Sequence, residues 1–320
     1  MVQPPEPPLQ EPFITDLAFA KSNTAPICLS FLAHIHAGKQ AATRGRIVFK
    51  PDIDLSRFVF RAVIDWIKVE VEINHATQFR YLQDALKAFF PRVCDVRAIA
   101  PEAGGSSTRF IITIQEPKSA AHVKRSLDAL PGDYGLMSQP FLRGIEVSID
   151  AKPRVPNDLD RALMLGVMNR TIFTKLDVIN GKSSRPRHCA AQGKKPRFLL
   201  PAFKSDDKTI NAWLLTEKVV PAPVDGTFYL GAKQDPVMIR VMDKVIDQQD
   251  RKAGTCKMLT DAEKRVRIEV ALKGRELRKL GLHYLEDLHG FSFTALQGNY
   301  YQFKLPTFEA SDPNEGSALA

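Results

Sequence analysis

Two short segments of the chain place carboxylates and guanidiniums at strand spacing. In GIEVSID the apolar Ile145, Val147 and Ile149 alternate with Glu146, Ser148 and Asp150. In RVRIEVALK, Val266, Ile268, Val270 and Leu272 alternate with Arg265, Arg267, Glu269 and Lys273. Successive side chains of a strand point to opposite faces, so each segment has an apolar, buried face and a polar, exposed one. With both polar faces on one sheet, Glu146, Asp150 and Glu269 form a hard-oxygen site for Mg²⁺ or Mn²⁺, beside arginines suited to phosphate. That is the equipment of phosphoryl transfer, which needs a cation to offset charge, donors to hold the phosphate in line, and a nucleophile. The competing reading is that these are simply the wet faces of amphipathic strands.

Other residues extend the candidate site. VMIRVMDKV puts Arg240, Met242 and Lys244 on one strand face, and TFYLG places Tyr229 on the strand before it. Tyr284, Tyr300 and Tyr301 read better as packing or surface aromatics. His34 and His36 in LAHIHAG have the alternation of a metal-binding pair if the segment is a strand, and face solvent if it is a helix. Between residues 181 and 197, GKSSRPRHCAAQGKKPR carries Lys182, Arg185, Arg187, Lys194, Lys195 and Arg197 without an acidic residue. Its Gly, Ser and Pro content predicts either a solvated linker or a basic loop that follows a DNA backbone, positioning the protein without reading bases.

Composition narrows the classes. A formal charge of +9 and a pI near 9.3 favour a polyanionic partner, nucleic acid or an anionic membrane. No apolar run approaches the roughly 20 residues that span a bilayer, and the start, with Pro4, Pro5, Pro7 and Pro8, lacks a signal-peptide pattern. A cytoplasmic protein is therefore expected. Cys28, Cys94, Cys189 and Cys256 are widely spaced with no CxxC pair, which predicts reduced structural thiols rather than a zinc ribbon. A hydrophobic fraction of 44% over 320 residues excludes disorder throughout.

The elements that must position these residues follow from periodicity. VIDWIKVEVEI reads as a strand with Val63, Ile67, Val69, Val71 and Ile73 on one side. A helix follows with Phe79, Leu82, Leu86 and Phe89 at helical spacing, then a hairpin of VCDVRAIA and RFIITIQE across EAGGSS. A second helix over 120–130 turns Val123 and Leu127 inward and precedes LRGIEVSID. The order predicts an α+β fold: an antiparallel ferredoxin-like (β-α-β-β-α-β) sheet, extended by a second antiparallel strand set with helices on one face. A helix over 157–173, capped at Asn157 and carrying Leu159, Leu163, Val167 and Met168, and a Leu-rich helix GRELRKLGLHYLEDL complete the pattern. The expected organisation is a partly disordered arm over 1–61, a first half over 62–152, a helical and basic linker over 153–219, a β-rich second half over 220–306 and a disordered tail over 307–320.

DGTFYLGAKQDPVMIRVMDKV followed by RVRIEVALKGRELRKLG resembles the core of the replication initiation factor family of rolling-circle plasmids and filamentous phages. That family shows a strand ending in Tyr-hydrophobic-Gly-Ser, a second of the form Arg-hydrophobic-Tyr-Asp/Glu-Lys, and a third reading Arg-hydrophobic-Glu-hydrophobic-Arg/Leu. IDWIKVEVEI and LRGIEVSIDA resemble its opening and mid-chain acidic strands, so the likeness covers residues 62–285. The resemblance implies a protein that binds a replication origin and nicks one strand with a tyrosine hydroxyl. It then stays joined to the 5′ phosphate while the 3′ hydroxyl primes synthesis, assisted by a divalent metal on carboxylates. A host helicase or polymerase as further partner and a homodimeric assembly are compatible with it. Met242 departs from the pattern, standing where the family usually has tyrosine, while Arg240, Asp243 and Lys244 are retained. Either Tyr229, which matches the family's other tyrosine, attacks, or the chain is a non-catalytic DNA-binding regulator or accessory protein. An RNA-binding module on the open sheet lacks the aromatic and basic signature that such modules carry.

If the basic segment contacts DNA, the slope of log affinity against log salt reports it, since each neutralised phosphate contributes about 0.9 on duplex DNA. Replacing Lys194, Lys195 and Arg197 together with Gln is expected to flatten that slope by two to three, measured by anisotropy across a salt series. An unchanged slope would return the segment to a linker.

Overall fold

Strong apolar alternation from Ile67 to Ile73 makes one long strand the axis of the molecule, and the computed structural model builds a nine-stranded sheet around it. The structure describes residues 13–17, 27–35, 47–90, 92, 94–174, 187–192, 195–199, 227–250, 255–292, 299–305 and 307–308. In chain order the elements begin with β1 (Phe13–Leu17), β2 (Ile27–Ile35), β3 (Ile47–Pro51), β4 (Phe58–Gln78), α1 (Phe79–Leu86), β5 (Asp95–Ala98), β6 (Ser106–Gln115), α2 (Ala120–Asp128) and β7 (Phe141–Pro153). They continue with α3 (Asp158–Thr171), β8 (Ile172–Thr174), β9 (Arg187–Gln192), β10 (Lys195–Leu199), β11 (Thr227–Leu230) and β12 (Val237–Lys244). Last come β13 (Ile246–Asp250), β14 (Thr255–Met258), β15 (Arg265–Lys273), α4 (Arg275–Lys279), β16 (Tyr301–Phe303) and β17 (Thr307–Phe308).

The large sheet has the order β10-β9-β11-β12-β15-β7-β4-β6-β5, and all its pairings are antiparallel. Pairing of β7 with both β4 and β15 joins the two expected halves of the chain in a single sheet. Mixed α/β architecture with a dominant antiparallel sheet and few helices is thus the observed class. A smaller sheet, β1-β2-β3-β17, draws on the first 51 residues and on Thr307–Phe308, segments expected to be arm and tail.

One face of the large sheet is apolar. Ile67, Val69, Val71, Ile112, Ile114, Ile145, Ile268 and Val270 join one core with Leu82 and Leu86 of α1 and Val123 and Leu127 of α2. Ser119 caps α2 by accepting from the His122 N–H at 3.0 Å, and Asn157 caps α3 by accepting from the Leu159 and Asp160 N–H groups. α3 touches β7, β12 and β15 as well as β1 and β2, so it lies between two sheets. That explains why even Arg161 is buried there, its guanidinium held by Asp243 of β12 at 2.9 and 3.2 Å. Leu159 is exposed in the first turn of that helix.

Three elements differ from expectation for physical reasons. Helix GRELRKLGLHYLEDL stops at Lys279, because Gly281 adopts a φ of +74°, and only a 3₁₀ turn follows at Leu285–Leu288. The basic segment is not wholly irregular: Arg187–Gln192 and Lys195–Leu199 pair as a hairpin on the sheet edge, where Pro196 is tolerated. In β4, Val63 falls on the opposite face from Ile67, since the pairing with β7 shifts between Ile64 and Trp66.

Gly231 fixes the register of the β11–β12 connection. Its φ is +82°, and an added Cβ would meet the Val237 carbonyl oxygen at 2.3 Å. Gly231→Ala is expected to destabilise the chain by about 1–3 kcal/mol, read as a lower chemical-denaturation midpoint. A wild-type midpoint would contradict this account of the turn.

Candidate metal and phosphate centre

β12, β15, β7 and β4 lie side by side in the middle of the large sheet. Residues directly opposite in an antiparallel pair project to the same face. Asp150 stands opposite Arg267 and Ser148 opposite Glu269. Glu269 in turn stands opposite Arg240, and Arg240 opposite Tyr229. Lys244, opposite Arg265, belongs to the same face. All the catalytic candidates, Tyr229, Arg240, Lys244 and Arg267, therefore share the face turned away from α1 and α2 with Glu146 and Glu269.

A third carboxylate arrives from a residue that strand alternation does not reveal. Asp65 is the additional residue at the β4–β7 register shift, a β-bulge that re-aims its side chain. Asp65, Glu146 and Glu269 each offer an oxygen, and the three atoms lie within 4.8 Å of one another. Asp150, expected as a metal ligand, is engaged elsewhere: Arg267 donates to its two oxygens at 2.5 and 2.8 Å, and Arg265 Nε lies 2.9 Å away. The polar face of β15 is also not exposed, since Arg267 and Glu269 are only 3% and 2% accessible.

Two guanidiniums hold this centre. Arg240 Nη2 donates to both oxygens of Glu146 at 3.0 and 3.1 Å and contacts Glu269. Arg267 Nη1 donates to Asp65 at 2.5 Å and lies 3.8 Å from Glu269. Each guanidinium therefore serves two or more carboxylates. Burial, followed by the neighbouring Glu269 charge, pushes Glu146 up to about 8 despite Arg240. Burial likewise raises Glu269, with Asp65 adding to the effect and Arg240 opposing it. Burial pulls the Arg267 guanidinium down, but its bonds to Asp150 and the charge of Asp65 outweigh it and leave the group raised.

The donor set fits a hard divalent cation. Among the described residues Ser148 Oγ and Arg240 Nε make no hydrogen bond, and Glu269 Oε2 meets the Arg240 guanidinium. Three clustered carboxylates served by two guanidiniums leave an excess of negative charge that a proton or a cation offsets. Asp65 and Arg240 are its more accessible members, with side-chain exposures of 16% and 26%. Asp65, Asp150 and Arg267 also line a cleft of about 960 Å³, whose walls include Arg61, Lys118 and Lys152. Among the described residues these three cations form no ion pair with a carboxylate, and Glu116 and Glu263 share the wall with them.

His34 is exposed on β2 of the smaller sheet, and His36 lies outside the described residues. Lys182, Arg185 and Lys194 also lie outside them, while Arg187, Lys195 and Arg197 sit on β9 and β10, with Arg187 in register opposite Tyr229. The packing reading of the later tyrosines agrees with their contacts. Tyr284 stacks edge-on against Phe141, Tyr300 bonds Glu276 at 3.1 Å, and Tyr301 is buried.

Comparison with known proteins finds no family model that matches the chain and no curated protein that matches it. No helix among the described residues is long and apolar enough to cross a membrane.

Glu146 holds its proton more tightly folded than unfolded. Its contribution to stability is therefore full below its ordinary value of 4.5 and lost as pH rises towards about 8. In EDTA, the denaturation midpoint of Glu146→Gln is expected to fall less across that window than the wild type's, because the amide has no proton to lose. Equal pH dependence in the two chains would contradict this electrostatic picture.

Proposed function

We propose that the chain is a DNA nickase of the rolling-circle replication initiator type, which binds origin DNA and cuts one strand by tyrosine attack at the Asp65–Glu146–Glu269 centre. The observation that carries this reading is one continuous polar face: three carboxylates converge beside Arg240, and Arg240 stands directly opposite Tyr229. The Tyr229 phenol lies near the Arg240 guanidinium. The order β7-β4-β6-β5 and the chain order β4-α1-β5-β6-α2-β7 support a ferredoxin-like unit at the heart of the sheet. The resemblance to the replication initiation factor family supplies the reaction. With it come Mg²⁺ or Mn²⁺ as cofactor, a cytoplasmic location, a host helicase or polymerase as further partner, and homodimerisation.

In this reading the Tyr229 Oη bonds to phosphorus and loses its proton, the bond from phosphorus to the 3′ oxygen breaks, and that oxygen takes up a proton. Tyrosine stays joined to the 5′ phosphate. Asp65, Glu146 and Glu269 would hold a divalent ion, which when bound offsets charge on the phosphate oxygens. Arg240 and Lys244 share the face of Tyr229 and donate to the phosphate, while Arg267 keeps Asp65 aimed at the centre. Arg61, Lys118 and Lys152 attract the backbone into the cleft.

One observation favours a second reading. Met242 sits in register between Thr227 and Arg267 on the same face, at the position where the family usually has tyrosine. A chain whose nucleophile was lost there would still bind DNA, acting as a regulator or accessory protein of a mobile element.

Supercoiled DNA carrying the cognate origin, incubated with the chain and Mn²⁺, separates these readings. The nickase reading expects nicked circles and a covalent adduct that Tyr229→Phe abolishes while binding persists, and expects Glu269→Gln to raise the Mn²⁺ requirement. Salt-sensitive binding with no adduct on a verified origin would establish the accessory reading instead. An adduct that survives in Tyr229→Phe would remove that tyrosine from its role.

A further inference from the structure

Beside the carboxylate centre, on the same face, the sheet carries a cluster of opposite sign. Lys68 of β4 and Lys273 of β15 both stand opposite Gly144 of β7, and Trp66 stands opposite Glu146. Gly144 makes room for the indole: a Cβ there would lie 2.9 Å from a ring carbon of Trp66. The ammonium groups of Lys68 and Lys273 lie 5.5 and 6.0 Å from the ring centroid. Lys273 Nζ also donates to the Lys233 carbonyl, which brings a third lysine alongside. Trp66, Lys68 and Lys273 are half-buried, and Lys233 is exposed.

None of these lysines forms an ion pair among the described residues. The acids nearest to them are committed, Asp95 to Arg97 at 2.9 Å and Glu146 to Arg240. Burial, then the charge of Arg97, holds Lys68 below the ordinary lysine range, and burial, then Lys68, does the same for Lys273. The indole face attracts cations but does not neutralise them. A half-buried group of like charges around an accessible aromatic surface opposes folding, and it is complementary to a ligand with an anion and a flat ring.

We propose that Trp66, Lys68 and Lys273 form a subsite for one nucleotide of single-stranded DNA, with the base stacked on the indole and the phosphate between the two ammonium groups. A base reaches a protein ring only when it is free of its duplex neighbours, which selects a single strand. Gly144 and Glu146 are one strand alternation apart, about 7 Å, so a strand with a phosphate over the carboxylates reaches the indole with an adjacent nucleotide. The position of this subsite along the cut strand rests on the nickase reading, whereas its ligand class follows from its own charges.

The chain has two tryptophans, Trp66 and Trp213, so a Trp213→Phe chain reports on Trp66 alone. In EDTA and low salt, an oligothymidylate of about ten nucleotides is expected to quench Trp66 emission on binding. Lys68→Gln with Lys273→Gln is expected to weaken binding roughly tenfold and to flatten the salt slope by about 0.7 per lost phosphate contact. In an anisotropy assay, Trp66→Leu is expected to weaken binding about tenfold and Trp66→Phe to retain most of it. Unchanged emission at saturation, wild-type affinity in the double lysine variant, or equal quenching by inorganic phosphate or by duplex would each overturn the subsite. The origin-nicking assay run in parallel keeps the two ideas apart: quenching without nicking sinks the nickase reading alone, and nicking without quenching sinks the subsite alone.

Discussion

Glu146 and Glu269 are nearly inaccessible, lie beside each other on adjoining strands and share a single close guanidinium, Arg240. Burying like charges so close is strongly unfavourable unless something neutralises them, and much of the surrounding structure answers that demand. Arg240 bridges the pair from β12, and Arg267 ties Asp65 to Asp150 across β4, β15 and β7. Since these links cross four adjacent strands, the register of the sheet centre and the electrostatics of the site are one constraint. Slipping any of these strands by a single residue would turn its charged set into the apolar core against α1 and α2.

Local structure serves the same end. The β-bulge at Asp65 turns a third carboxylate onto the polar face, and it also leaves the stretch before it, Phe58–Ile64, paired with β7 alone. That unpaired edge helps to frame the cleft through Arg61, Ala62 and Val63, whose neighbours include Lys118 from the segment leading into α2. Acidic centre and lysine-flanked indole thus adjoin on a single face. Proteins hold such mutually repelling groups where function requires them, and stabilise them through the rigid elements around the site. Here the rigid element is the continuous antiparallel sheet.

Much of this was legible in the sequence because alternation is a strong signal where one strand face is apolar. Ile145, Val147 and Ile149 against Glu146 and Ser148, and Ile268 and Val270 against Arg267 and Glu269, put the correct residues on one face. Asp65 was hidden because a bulge breaks the period of two. The trace it leaves is the run Val63-Ile64-Asp65-Trp66-Ile67, with apolar pairs on both sides of one acid. Asp150 looked equivalent to Glu146, yet its place opposite Arg267 commits it to an ion pair, and register is a property of pairing that one strand cannot disclose. Exposure misled for a similar reason, since a polar face can be buried once its charges satisfy one another. The basic hairpin escaped because Gly, Pro and Lys weaken strand propensity even where an edge position tolerates them.

We propose that Asp65, rather than Asp150, completes a divalent-cation site with Glu146 and Glu269. Mn²⁺ binding to the purified chain, followed by the loss of its free-ion electron paramagnetic resonance signal, tests it directly. Asp65→Asn is expected to weaken Mn²⁺ binding by about tenfold or more, and Asp150→Asn by much less, because the first removes a ligand and the second alters only the partner of Arg267. No binding to the wild-type chain, or a greater loss in Asp150→Asn than in Asp65→Asn, would contradict the account.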